Sequence, residues 1–390
     1  MINNRIMPSG YYVERNEWVM EKIYLDYNAS TPLAPEVVDV MKPLLNDYYG
    51  NPSALHWSGN PVKGLLHKAR EQVAELIACS PREIIFTSGG SEANNLGLKG
   101  FYFKNRNKGN HIITSKIEHP AIINPCKFLE QVGARVTYVG VDRYGRVSPE
   151  EIEKAITRET ILISIMHSNN EVGTLQPINE IGEIADRYGI VFHTDASQSV
   201  GKVPVNVNDL KVDMLTIAGH KLYAPKGIGA LYIREGIQLE PLIHGAGHEF
   251  GLRAGTENTL LAVGLGEACE IAHKQVGNQK IKNLTDYFWR QLKDELGEQV
   301  VLNGHPVERL PNTLNVSFVR KIGQELLFAI PDLAASTGSA CHAGSIELSP
   351  VLKEMDVPEE VGMGAIRFSL GRNTTKEEID HVVKWLIEIM

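Results

Sequence analysis

A chain of 390 residues, 43% of them hydrophobic, is long enough to bury one large core and a smaller second one. Its formal net charge of -8, with acidic and basic residues mixed along the chain, excludes the basic footprint of a direct nucleic-acid binder. No stretch is apolar and long enough to read as a membrane span, and the four cysteines, at 79, 126, 269 and 341, stand too far apart for a disulfide framework or a Cys-x-x-Cys metal site, which points to a protein of the reducing cytoplasm with no bound metal.

Residues 1–22 mix both charges without an apolar core and read as a loosely ordered extension rather than a signal peptide. From about residue 80 to 235, short β-branched runs alternate with helical patterns, the rhythm of βαβ units around a mostly parallel sheet. Ligands in such sheets gather beyond the carboxyl ends of the strands, so the residues just after each run carry the most information. The first predicted strand, 83–87, runs into Thr87-Ser-Gly-Gly-Ser-Glu92 at a helix start. Small residues there admit an anion to free N–H groups, making Gly90 and Ser91 a candidate phosphate cradle; a plain helix cap at Ser91 is the simpler reading. After the strand at 111–114 comes Glu118-His119-Pro120, and His119 is suited either to stacking on a planar group and moving protons or to a structural hydrogen bond.

The strand at 135–139 precedes no such residue, but that at 160–165 leads into Asn169-Asn170-Glu171, where Asn170 can orient a bound molecule. The strand at 190–193 ends in Asp195-Ala-Ser-Gln198. A buried carboxylate at that edge needs a cationic partner, such as a protonated pyridine nitrogen, unless Asp195 only caps a turn. The strand at 212–217 delivers Gly219-His220-Lys221, whose amine can form a Schiff base with a cofactor aldehyde and later act as a base. A seventh strand follows at 229–233. Beyond it the pattern turns to helices over 260–298, a strand at 312–318, a glycine-flanked loop carrying Cys341, a strand at 365–369 and a last helix from Lys376. The fold expected is therefore α/β, with a large cofactor-binding domain around a mostly parallel seven-stranded sheet and a smaller α+β domain. The boundaries expected are 31–276 for the large domain, and 23–30 with 277–390 for the small one.

Taken together, Tyr24-Leu-Asp-Tyr-Asn-Ala-Ser-Thr-Pro32, Gly50-Asn-Pro-Ser53, Phe86-Thr-Ser-Gly-Gly-Ser-Glu92, Asn169-Asn-Glu171, Asp195-Ala-Ser-Gln198, Gly219-His-Lys221, Arg253-Ala-Gly-Thr-Glu-Asn258, Gly338-Ser-Ala-Cys341 and Ile366-Arg-Phe-Ser-Leu-Gly-Arg372 make the chain resemble the cysteine desulfurases of the NifS and IscS group. These are class V aminotransferase relatives among the fold-type I pyridoxal phosphate enzymes, and the likeness runs over roughly residues 23–388. It implies that Lys221 carries pyridoxal 5′-phosphate, that Asp195 faces the pyridine nitrogen, that Gln198 bonds the ring hydroxyl and that His119 stacks on the ring. It further implies that Gly90, Ser91 and His220 hold the phosphate, with Thr256 reaching in from a neighbouring subunit of a homodimer. Asn170 and Arg367 would bind the carboxylate of L-cysteine. Cys341 would take the sulfur as a persulfide and deliver it to an acceptor protein such as an iron–sulfur scaffold.

Two positions depart from the family pattern. Ala218 stands where many relatives place a phosphate-binding serine, and His342 follows Cys341 where the IscS pattern has a small hydroxylated residue. The Cys341-His342 pair resembles selenocysteine lyases, so release of selenium is one alternative activity and a non-catalytic role in sulfur trafficking is another.

Overall fold

A computed structural model describes residues 22–338, 341–342 and 345–390, with side chains left aside at 341–346. Of the expected extension 1–22, residues 1–21 lie outside that range. Seven strands form the main sheet in the order Ile84–Thr87, Gly229–Ile233, Met214–Ala218, Val191–Asp195, Thr160–Ser164, His111–Ser115 and Arg135–Val139. All neighbours run parallel except Gly229–Ile233, which is antiparallel to both of its partners.

These strands read as continuous apolar runs because both faces of the sheet are covered. Alternate residues go to opposite sides. Ile84, Phe86, Ile113, Ile163, Leu215 and Tyr232 join one core with the helices Gly59–Leu76 and Thr259–Gln275. Ile85, Ile112, Leu162, Met214 and Leu231 join a second core on the other face, with Leu96, Phe101, Ile122 and Leu129.

The smaller sheet is antiparallel and has three strands, Ala365–Ser369, Thr313–Phe318 and Val300–Asn303 in that order. The strand Val300–Asn303 was not expected from the sequence. The last helix, Lys376–Ile389, starts at a reciprocal cap between Thr375 and Glu378 and buries Ile379, Val382, Val383 and Leu386, one face at helical spacing. That face meets a core built around Phe288 and Phe368, whose rings stand edge to face at 5.0 Å. Ile23 and Leu25 complete this core, and Ile23–Tyr24 pairs in parallel with Leu333–Ala334. The chain around Cys341 is a two-stranded hairpin, Cys341–His342 against Ser345–Ile346, rather than an open loop.

Candidate active site

Beyond the carboxyl ends of the large sheet lies a cavity of about 530 Å³, bordered by Gly90, Ser91, His119, Asn170, Asp195, Gln198, Ala218, His220 and Lys221 among others. Eight of the residues singled out in the sequence thus meet in one place. Thr256 is exposed and does not border the cavity in this single chain, and the side chain of Cys341 lies outside the described residues.

The strand Val191–Asp195 ends two residues later than the sequence suggested, so that Asp195 is its last member. Asp195 is 8% exposed, and its two oxygens accept from Asn94 Nδ2 at 2.7 Å and from the Ser197 backbone N–H at 2.9 Å. Both donors are neutral amides, and among the described residues no cation stands within ion-pair distance of the carboxylate. A charge so buried and so aligned is suited to a cationic ligand atom.

Lys221 ends a one-turn helix, Gly219–Lys221, directly after the strand Met214–Ala218. Burial pushes its amine down to about 8, with Asp195 pulling it up and Arg367 pushing it further down. An amine near that value is partly in its reactive, neutral form at pH 7 and largely so above pH 8, whereas an ordinary lysine is almost wholly protonated.

At the far end of the cavity the helical run that begins with Gly90–Asn95 opens on Gly89, whose φ of +151° is accessible to glycine alone. The helix cap is Gly89, with no side-chain bond, so the capping role considered for Ser91 falls away and Ser91 remains exposed to the cavity. A methyl group on Gly90 would come within 3.0 Å of Ser197 Oγ and 3.2 Å of the Ala218 Cβ. This turn and His220 border the same cavity, and N–H groups at a helix start are suited to receive an anion.

His119 caps the helix Pro120–Gln131: its Nδ1 accepts from the Ala121 N–H at 3.1 Å, which leaves the ring proton on Nε2. Burial holds the ring below the usual histidine range, so it is neutral near pH 7. The structural role is thus observed, and the ring also borders the cavity.

Arg367, 9% exposed, donates from Nη1 to the Asn170 carbonyl and from Nη2 to Asp26 Oδ1, both at 2.8 Å, while its buried Nε has no partner. The adjoining Glu171 anchors the Cys341 hairpin. Ser349 Oγ donates to Glu171 Oε2 at 2.5 Å, and a methyl group on Gly338 would fall 2.6 Å from the same oxygen. Ser349 and Gly338, on either side of the hairpin, thus both lie close to Glu171, the neighbour in the chain of the cavity residue Asn170.

An amine, a buried carboxylate without a cation and a helix-start turn in one cavity fit the aldehyde, ring nitrogen and phosphate of pyridoxal phosphate. Residues 23–382 match the family described as aminotransferase class-V. The chain belongs to the cysteine desulfurase branch of the class-V aminotransferases. It is 48% identical to the cysteine desulfurase IscS of Dictyoglomus turgidum, over 95% of this chain and 94% of the relative. To the cysteine desulfurase of Rattus norvegicus it is 44% identical, over 97% and 84%. Among solved structures, a NifS-like protein superposes with a TM-score of 0.88 at 36% identity, covering 94% of this chain and 99% of its own. SspA in complex with cysteine gives a TM-score of 0.79 at 41% identity, over 89% and 98%. The family is dependent on pyridoxal phosphate. Among the described residues no helix is long and apolar enough to cross a membrane.

Asp26, Asn28, Asn94 and Lys202 also belong to this site's surroundings and were not singled out in the sequence. Asp26 and Asn28 fall inside a quoted motif, which was the available signal. Asn94 and Lys202 have none beyond their polar character.

Proposed function

We propose that the protein converts L-cysteine to L-alanine and carries the sulfur as a persulfide on Cys341, for delivery to an acceptor protein. The observation that carries this reading is the pairing, within one cavity, of the Lys221 amine with the uncompensated Asp195 carboxylate. When bound, pyridoxal phosphate supplies an electron sink for charge that develops on an amino acid.

Lys221 would hold the cofactor and, once released, take the α-proton of the substrate at Nζ and return it later. Asp195, fixed by Asn94 and Ser197, would keep the facing ring nitrogen protonated. His119 would lie against the ring and offer its Nε2 proton, while Gly90, Ser91 and His220 would hold the phosphate. Arg367, whose guanidinium bonds to the Asn170 carbonyl, and Asn170 would bind the substrate carboxylate.

Cys341 would attack as a thiolate. A sulfur–sulfur bond forms to the substrate sulfur as the carbon–sulfur bond breaks, the electron pair of that bond stays on the carbon side, and a proton completes the methyl group of alanine. The bond from Ser349 to Glu171, next to Asn170 in the chain, supports a position for the Cys341 hairpin near this site.

The protein would act as a cytoplasmic homodimer, with Thr256 completing the partner's phosphate cradle and with the domain boundaries set out above. Tyr49, Leu55 and Trp57 are large apolar side chains left exposed in the single chain, as at an interface. Cys79, Cys126 and Cys269 are unpaired, as in a reducing compartment. Incubation of the loaded protein with cysteine tests the reaction: one alanine should form per cysteine consumed, with sulfide freed by added reductant. Consumption of cysteine without alanine would exclude it, and preference for selenocysteine over cysteine would favour the lyase alternative.

A further inference from the structure

Lys202 does not line the cavity but bonds to Gln198, which does, and it has had no part in the reaction so far. Its Nζ donates to Gln198 Oε1 at 2.9 Å and to Asn28 Oδ1 at 3.0 Å. Burial and the charges of Lys221 and Arg367 push this amine well below its ordinary value, and no carboxylate offsets them. In either charge state the amine can only donate through its hydrogens here, and these two amide oxygens accept from it.

The neighbours of the Gln198 amide fix which of its ends is nitrogen. Nε2 lies 3.0 Å from the backbone carbonyl of Asn28, a group that only accepts, so the N–H end must face it and Oε1 must face Lys202. That carbonyl uses one of the two Nε2 hydrogens. Gln198 is 4% exposed and borders the cavity beside Asp195 and Lys221, where the other hydrogen is available. Asn28 is held in turn by Asn312 Nδ2 at 3.1 Å and by its own bond to Thr313 Oγ1 at 2.8 Å, so the acceptors of Lys202 are anchored on both sides.

We propose that Lys202 is a positioning residue that locks the Gln198 amide so that its free polar group is an N–H, offered to the ring oxygen of the cofactor. The inference rests on the reading of the cavity as a pyridoxal phosphate site. Without Lys202, Oε1 loses its donor and the amide is held at one point only, by the Asn28 carbonyl, so that it rocks about that bond and the ring oxygen no longer meets a fixed N–H. A donor at that oxygen favours the form of the bound cofactor with more negative charge there, and so lowers the pH at which the cofactor's proton leaves.

The test is a spectrophotometric pH titration of the visible band of the protein loaded with pyridoxal phosphate, with no substrate added. Lys202→Met should retain the borohydride-sensitive band but titrate about one pH unit higher than the wild type, the effect of one hydrogen bond to a charged oxygen. Gln198→Ala should shift by a similar amount, and Gln198→Ala with Lys202→Met no further. Lys202→Gln, which keeps N–H donors on a shorter stem, should fall between, and it carries the test if Lys202→Met does not melt cooperatively. Titration of the lysine variants at the wild-type midpoint would overturn the proposal, as would an equal shift from Lys202→Met in the presence and absence of Gln198. A wild-type protein that acquires no borohydride-sensitive band would instead overturn the cofactor reading, and this inference with it.

Discussion

Arg367 and Asp26 form an ion pair at 2.8 Å, although 341 positions separate them in the chain. Both are largely buried, and Ser336 Oγ donates to the same Asp26 oxygen at 2.9 Å, so the guanidinium is held in one orientation. A buried charged hydrogen bond of this type contributes about 1.5–3 kcal/mol. Asp26→Ala should therefore raise KM for cysteine roughly ten- to a hundredfold while leaving cofactor colour intact. Steady-state kinetics checks this, and an unchanged KM would remove Arg367 orientation from the account.

The amine of Lys221 must be neutral to combine with an aldehyde, and burial places it at about 8 instead of the ordinary 10.5. Below about 8 the loading of cofactor-free protein should slow by about tenfold per pH unit, because the reactive fraction falls in that proportion. Above it the rate should level off. Stopped-flow absorbance resolves the profile, and a rate still climbing toward 10.5 would show an unperturbed lysine.

Glu171 accepts a hydrogen bond from Ser349 and lies close to Gly338, the residues on either side of the Cys341 hairpin. Glu171→Ala should keep the bound cofactor but slow alanine release by roughly a hundredfold, the scale of a displacement of about 1 Å of a reacting group. Gly338→Ala, whose methyl group meets the same carboxylate oxygen, should behave alike. Alanine formation at the wild-type rate in both variants would detach the hairpin from the reaction.

Strands were legible because each is a short β-branched run buried on both faces, and the residues that follow them stood out as polar where a connecting loop would be bland. Strand ends were less legible. Asp195 sits inside its strand because it still pairs with Thr216, a cross-strand relation that no local pattern reveals. Val300–Asn303 was missed since it is a short edge strand with exposed Val301, defined by pairing with Thr313–Phe318 and not by its own alternation. The same holds for the site. Lys221, Asp195 and Gly90 lie at strand ends or helix starts, where chemistry and local pattern coincide. Asn94 supports Asp195 from 101 positions away, and only the fold brings the two together.

Cys341→Ser separates sulfur acceptance from everything else in the site, because it leaves Lys221, Asp195 and the phosphate cradle unaltered. The most direct measurement is alanine production from cysteine by this variant after loading with pyridoxal phosphate. It should bind the cofactor and give the spectral change on adding cysteine, yet form no persulfide and lose nearly all alanine production, since a hydroxyl is a far weaker acceptor than a thiolate. Residual alanine from selenocysteine, whose selenium leaves more readily, is consistent with that result. Wild-type alanine production from cysteine in Cys341→Ser would contradict the assignment of Cys341 as the sulfur acceptor.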